Sequence, residues 1–427
     1  MASPRFFIDL HGCPKAMTDA EKLTASLLDK GWLFVSEEEE REYTFVVTCG
    51  FLESARKECD RSLEFYLSDP SLSGSVVAVG CYPELFAERI DRLHKGLHLQ
   101  IGVNRLDELL DSLHVPGVPD GAKVLLGGSR WNYLKISEGC SHRCAYCLIP
   151  KIRGPFRSRP WDELAKELDV MAALDLQEVV LISQDTAAYG KDLCEGLSLS
   201  GLLRKIDENY SFPWIRVMYL NPQGLKDETW SALGEGRVLP YFDIPFQHAS
   251  PKVLKGMNRG GDVEEHLRLL ERIRKVKPDA VFRTTLITGF PGEEEEDFRI
   301  LQSFVREARF DHMGVFAYSD EELAASFSLP DKVDQAVAEL RRDTLYEVQN
   351  GIFHEKLEPL KGSLQTLVLE EPLKRGLHRG RLWFQAPEGI DGWAFVKGAK
   401  EKSNAPLFVR IEGYDYDKGG YLTHYER

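Results

Sequence analysis

Three cysteines on one short loop restrict this chain more than any other feature. They lie in Ile136-Ser-Glu-Gly-Cys-Ser-His-Arg-Cys-Ala-Tyr-Cys-Leu-Ile-Pro150, where Cys140, Cys144 and Cys147 are spaced C-x3-C-x2-C. Thiolates this close repel one another until a cation neutralises them, and coordination to iron or zinc both deprotonates and fixes them. A structural zinc site usually takes four protein ligands. Three cysteines on one loop suit a [4Fe–4S] cube with one iron left open for a further ligand. The alternatives are a zinc loop or three unrelated buried thiols. Eight cysteines in 427 residues, without the short secreted scaffold that disulfides serve, argue for metal or redox use in a reducing cytoplasm. We find no apolar run of membrane-spanning length and no signal peptide.

The first segment alternates strand and helix. Arg5–Leu10, Thr44–Thr48, Ser75–Gly80 and Leu97–Val103 read as strands, and Thr18–Lys30, Leu52–Leu67 and Pro83–Leu93 as helices. Such alternation predicts an α/β fold with a doubly wound parallel sheet, whose crevice lies outside the carboxyl ends of the strands. Cys13, Cys49 and Cys81 each fall at that end of a different strand. Neighbouring parallel strands would gather them into a second three-cysteine cluster. Gaps of this length are no motif and buried cysteine is common, so the shared position carries the argument. Glu37–Glu40 reads as a solvated loop.

Val115–Gly128, rich in Pro and Gly, reads as a linker. Beyond the cysteine loop, Lys151, Arg153, Arg157 and Arg159 occupy one irregular piece, either a solvated loop or cations near an acidic ligand or substrate. Then come Trp161–Leu174 as helix and Glu178–Ile182 as strand. Trp214–Leu220, Tyr241–Pro245, Val281–Ile287 and His312–Ala317 follow as strands. Between them lie helices near Lys226–Leu233, Lys252–Met257, His266–Val276 and Asp297–Ala308. Repeated βα units predict a full or partial barrel with its chemistry at the carboxyl mouth. The candidates there are Ser183, Gln184, Asp185, Asn221, Gln247, His248, Gly289, Pro291 and Gly292, although a lone His248 is more often structural. The acid run Glu293–Asp297 suits the positive end of a helix dipole.

Asp331–Leu357 reads as a long closing helix. The short strands Gln365–Leu369, Arg381–Phe384, Trp393–Val396, Leu407–Glu412 and Gly420–Thr423 then suggest a small antiparallel β-barrel. The whole chain carries a net charge of −14. Residues 363–427 hold ten Lys/Arg against nine Asp/Glu. That near-neutral balance is poor electrostatics for gripping a polyanion and leans towards a basic protein partner.

With Tyr146 before the last cysteine, the loop completes C-x3-C-x-aromatic-C and resembles the radical S-adenosylmethionine (SAM) superfamily. With both cysteine sets and the terminal barrel, the whole chain resembles the radical SAM methylthiotransferases. It resembles one branch more closely, the RimO type, which modifies small-subunit ribosomal protein twelve. The matching segments are Gly12-Cys-Pro-Lys15, Thr48-Cys-Gly-Phe-Leu-Glu-Ser-Ala55, Gln184-Asp-Thr-Ala-Ala-Tyr-Gly-Lys-Asp-Leu193 and Asp243-Ile-Pro-Phe-Gln-His-Ala-Ser250. Tyr318-Ser-Asp-Glu-Glu322 and Ala386-Pro-Glu-Gly-Ile-Asp-Gly392 match too. Ala16-Met17 and Leu323-Ala-Ala depart from that branch.

The resemblance implies residues 1–118 as a methylthiotransferase domain, 126–358 as a radical SAM core and 361–427 as a TRAM-like barrel for substrate recognition. It implies two [4Fe–4S] clusters, one on Cys140, Cys144 and Cys147, the other on Cys13, Cys49 and Cys81. SAM would lie near Tyr146, Ser183, Gln184, Gly289 and Gly292, and substrate near Arg153, Arg157, Gln247 and His248. The implied reaction is β-methylthiolation of an aspartate: a 5′-deoxyadenosyl radical takes a hydrogen, and methylated sulfur on the second cluster is transferred. An electron donor such as flavodoxin and a sulfur donor would be needed. The alternatives are a tRNA adenosine methylthiotransferase and a non-catalytic iron–sulfur protein.

Overall fold

The computed structural model describes residues 3–37, 40–69, 74–115, 117–119, 121–127, 130–194, 196–399 and 405–426. Parts of the acid run 37–40 and of the linker 115–128 lie outside the described residues, as do the terminal charges at 400–402 and 427.

The amino-terminal part contains β1 (Arg5–Leu10), α1 (Pro14–Asp29), β2 (Leu33–Phe34), β3 (Tyr43–Thr48) and α2 (Glu53–Ser68), then β4 (Ser75–Gly80), α3 (Cys81–Leu93), β5 (Leu99–Ile101) and α4 (Leu106–Ser112). The strands pair in parallel in the order β2-β1-β3-β4-β5. β3 reads Tyr-Thr-Phe-Val-Val-Thr because both its faces are covered. Phe45 and Val47 pack with Leu23, Leu27 and Leu109 of α1 and α4, while Val46 packs on the other face with Leu63 and Tyr66 of α2. α1 begins four residues before the expected Thr18, since Pro14 fits a first helical position, where its missing N–H is not needed.

The central part contains β6 (Trp131–Lys135), β7 (Ser137–Glu138), α5 (Ile149–Arg153), β8 (Arg157–Ser158), α6 (Trp161–Ala173), β9 (Glu178–Ile182), α7 (Leu199–Asn209) and β10 (Trp214–Val217). It continues with α8 (Asp227–Ala232), β11 (Tyr241–Asp243), α9 (Pro251–Gly256), α10 (Val263–Val276), β12 (Val281–Thr288), α11 (Glu295–Ala308), β13 (His312–Ala317) and α12 (Gln335–Leu360). Two parallel sheets, β10-β9-β6 and β11-β12-β13, meet where Leu239 N–H donates to Ile215 and Leu220 N–H to Asp243. This is a partial barrel. Leu134, Leu181, Ile215 and Phe242 point outward to Leu168, Ile206, Leu270 and Phe304 of the helices. Tyr133, Ile182, Trp214 and Tyr241 point inward, and residues of the terminal barrel pack against them.

That barrel closes in the order β14 (Leu364–Pro372), β15 (Leu377–Leu382), β16 (Trp393–Lys397), β18 (Gly420–Tyr425) and β17 (Leu407–Asp415). It is not wholly antiparallel, because β16 and β18 pair in parallel, Trp393 opposite Gly420. Five is an odd number, so strands of strictly alternating direction cannot close into a ring. A buried charge cluster joins this barrel to the core: Glu178 accepts from Arg216 at 2.5 Å and from Arg381 at 2.6 Å. Burial alone would push the Glu178 carboxyl up, and the two guanidinium groups hold it down instead.

One further expectation needs correction. The basic piece after the cysteine loop is not irregular: Arg153 ends α5, and Arg157 lies in β8, paired with β7. The acid run does open α11, with Glu294 as the N-cap and Glu295, Glu296 and Asp297 in the first turn; Glu294 and Asp297 also close a capping box.

Candidate metal centres and cofactor site

The adjacent strands β1, β3 and β4 lead, at their carboxyl ends, to Cys13, Cys49 and Cys81. Cys13 is the N-cap of α1 and Cys81 is the first residue of α3. The loops can approach because Gly50 has no side chain: a Cβ there would lie 2.4 Å from the Cys81 carbonyl oxygen. Burial pushes the Cys81 thiol up to about 12; Arg153 opposes the rise, and Cys13 and Cys49 add to it. Burial also raises Cys49, against the Phe51 amide and with Cys13. The three thiols therefore lie within one another's fields. Cys59 is buried behind them, its sulfur 3.4 Å from the Cys49 amide nitrogen, and Cys194 is exposed.

Around the loop cysteines, burial pushes Cys147 up to about 12 and raises Cys140, while the amides of Ile149 and His142 pull the other way. Arg259 extends Nη1 to within 3.7 Å of Cys144 Sγ and donates from Nη2 to the Pro245 carbonyl at 3.1 Å. Among the described residues no three His, Cys, Asp or Glu stand close enough to share one metal ion. A cube assigns its thiolates to separate irons and asks for a wider spacing. Soft sulfur donors in threes, with amides and a guanidinium to balance their charge, fit iron–sulfur clusters at both places.

An ion network links the two sets. Glu138, two residues before Cys140, accepts from Lys135 at 2.6 Å, Arg153 at 3.1 Å and Gln184 Nε2 at 2.9 Å. Arg153 donates on to Asp19 of α1 at 2.9 Å and to Cys81 Sγ at 3.6 Å. A cavity of about 430 Å³ opens beside this network, lined by Cys81, Asn104, Glu138, Arg153, Arg157 and Arg159.

The strand-end residues divide. Tyr146 is drawn down among Val253, Met257, Phe290 and Tyr318. Ser183 Oγ accepts from the Asp185 amide at 3.0 Å, and Gln184 Oε1 and Asp185 Oδ1 are buried without partners, as ligand-binding polar atoms would be. Gln247 takes a left-handed φ of +71° and is stitched by its backbone to Thr285 and Ile287. His248 is fully buried, its Nδ1 accepting from the Ser250 amide at 2.9 Å. Its Nε2 lies 3.5 Å from Glu293 without a hydrogen bond. Gly289, at φ +77°, is required by α12, since a Cβ there would lie 2.2 Å from that of Ala338. Gly292 N–H donates to the Asp331 carbonyl at 2.8 Å. Arg157 is exposed, and Arg153 is spent on Asp19 and Glu138.

Sequence reasoning missed Arg259, which no motif marks. It also missed His142, although the residues that hold it are strand-end candidates: its Nε2 lies 2.8 Å from Asp185 and 2.9 Å from Asn221. Lys15 was noticed only as part of Cys-Pro-Lys. Its ammonium lies buried 3.0 Å from the centre of the Tyr219 ring, and burial pushes it down to about 8.

The partial barrel with its three-thiol loop defines a radical SAM enzyme, and residues 134–305 match the Radical SAM superfamily. Residues 5–102 match Uncharacterized protein family UPF0004. Ribosomal protein uS12 methylthiotransferase RimO of Aquifex aeolicus (strain VF5) is 37% identical, covering 96% of each chain. The protein of that name from Thermotoga sp. (strain RQ2) is 37% identical over 98% of this chain and 100% of its own. The chain belongs to the RimO family of methylthiotransferases. Among solved structures, the radical SAM methyltransferase TsrM from Kitasatospora setae, with cobalamin and a [4Fe–4S] cluster bound, aligns over 99% of this chain and 87% of its own. The TM-score is 0.56 at 13% identity, a likeness of fold alone.

Proposed function

We propose that this enzyme β-methylthiolates an aspartate of ribosomal protein uS12. The observation that carries the chemistry is the second three-thiol set, joined to the first through Glu138 and Arg153. One cluster suffices to cleave SAM; a second gives sulfur a place to wait. When bound, the clusters and SAM supply one-electron chemistry, a hydrogen-abstracting radical and a methylated sulfur. The chain's own residues fix where that happens. Cys140, Cys144 and Cys147 would hold one cluster, with Arg259 balancing their charge. Cys13, Cys49 and Cys81 would hold the other, with Arg153 doing the same. Tyr146, Ser183, Gln184, Gly289 and Gly292 shape the proposed SAM side, Gln247 and His248 the substrate side. Arg153 acts there as a fixed strut, and Arg157 stands at the cavity, open to the substrate.

The substrate assignment rests on the names of the relatives and on charge. In the terminal barrel, Arg379 pairs with Glu371, Arg381 with Glu178 and Glu370, Arg410 with Glu426, and Lys418 with Asp415. These pairs match four of the ten cations, and nine acids offset the ten, a poor balance for gripping RNA phosphates. A basic ribosomal protein suits the net charge of −14. In the same reading residues 1–118 form a doubly wound methylthiotransferase domain, 126–358 the radical SAM core and 361–427 a TRAM-like barrel. An electron carrier of the flavodoxin type serves it in the cytoplasm. No helix among the described residues is long and apolar enough to cross a membrane.

Anaerobically reconstituted protein, with SAM, a reductant and sulfide, should place methylthio on an aspartate-bearing peptide of uS12 and leave tRNA unchanged by mass spectrometry. Methylthioadenosine in the tRNA with the peptide untouched would reverse the assignment.

A further inference from the structure

The buried lysines of the described chain are Lys15, Lys123 and Lys135. Lys123 is 2.7 Å from Glu21, and Lys135 pairs with Asp19 and Glu138. Lys15 alone of these has no carboxylate partner; its ammonium faces the Tyr219 ring. A lysine held out of water without a counter-ion is costly, and an aromatic face offsets only part of that cost. The acids nearby are committed elsewhere. Glu138 accepts from Lys135, Arg153 and Gln184. Asp243 accepts from Arg283 at 3.0 Å and from the Tyr219 amide at 2.9 Å. The place is also suited to the reaction, since Lys15 is two residues from Cys13 and Tyr219 follows β10 at the carboxyl mouth of the barrel.

We propose that Lys15 is the group that receives the carboxylate of the substrate aspartate. This rests on the reading of a protein aspartate as substrate. Pairing would give a carboxylate partner to the one buried lysine among the described residues that has none. It would set the adjacent β-carbon beside the Cys13 set and above Tyr219. It also gives the enzyme a means to reject asparagine, whose neutral amide would leave the ammonium unpaired.

The test is peptide binding to the anaerobically reconstituted full-length protein, followed by fluorescence anisotropy, with uS12-loop peptides carrying Asp or Asn at the target position. The wild type should bind the Asp peptide on the order of tenfold to a hundredfold more tightly, the worth of a hydrogen bond to a charged group. K15M should bind both peptides equally, at the Asn level. K15R should keep part of the preference, and Y219L should weaken the Asp peptide less than K15M does. A lysine that only balances the charge of the nearby cluster would leave the preference intact, so its survival in K15M overturns the proposal. So does a wild type that binds both peptides alike, a comparison that needs no variant to fold. Should tRNA rather than the Asp peptide be modified, the substrate reading falls, and this inference with it.

Discussion

Replacing Glu138 with Gln tests whether the two cysteine sets are held together by charge. Burial alone would push this carboxyl up, but Lys135 and Arg153 override it and hold it at about 2, against an ordinary 4.5. At about 1.36 kcal/mol per pH unit the difference is worth roughly 3 kcal/mol. Because the folded value is depressed, the contribution is complete above about pH 4.5 and is lost as pH falls towards 2. At pH 7 the variant should forfeit all of it. The loss is local: β7 pairs with β8 at Ser137–Ser158 and Glu138–Arg157, and this small ladder must open first. Hydrogen exchange by mass spectrometry on the reconstituted protein should therefore show amides of 137–139 and 157–159 exchanging roughly a hundredfold faster. Amides of α10 and α11 should not change. The gap should be the same at pH 5.5, where the unfolded carboxyl is still mostly ionised. A change of less than about threefold in β7 and β8, or an equal acceleration in α10, would refute the reasoning.

The cysteine sets should separate by role. Changing Cys140, Cys144 and Cys147 to Ala should leave about half of the roughly eight irons of two cubes and abolish SAM cleavage. Changing Cys13, Cys49 and Cys81 should spare cleavage and abolish product; full iron in the first variant, or product from the second, would break the assignment. Glu178→Gln leaves Arg216 with no carboxylate and Arg381 with Glu370 alone. It should cost about 3–5 kcal/mol and speed proteolysis between the core and the terminal barrel; unaltered cleavage rates would mean that apolar packing alone holds the barrel.

Much of this fold could be read from the sequence because it is written locally. β1, β4, β9 and β13 have the bounds that their apolar runs suggested, each stopped by turn-forming or polar residues. β2 is not legible because two residues carry no period, nor is α4, because seven barely make two turns. α7 shows apolar residues at Leu199, Leu202, Leu203 and Ile206, a helical face that the Gly- and Ser-rich surroundings obscured. The loop cysteines were legible from spacing, and the second set only through the topology that lines up three strand ends. The charges between the sets were not legible. Lys135 and Asp19 are 116 positions apart, and Arg259 and Cys144 are 115 apart, so nothing short of the folded chain pairs them.

The terminal barrel reaches the candidate site through a relay of contacts. Asp391 of the barrel accepts from Tyr241 at 2.6 Å and from Arg283 at 3.3 Å. Arg283 donates in turn to Asp243, whose other oxygen accepts from the Tyr219 amide. Tyr219 has a left-handed φ of +64°, a conformation that a bulky residue keeps only when its surroundings insist. Here they do so from two sides, with Asp243 holding its amide and the Thr186 amide donating to its carbonyl at 3.1 Å. The strained backbone turns the Tyr219 ring beneath Lys15. Docking of the barrel therefore bears on the position of the ring that seats the lysine: loosen Asp391 and Arg283 is less firmly placed, Asp243 with it, and the strain at Tyr219 is free to relax.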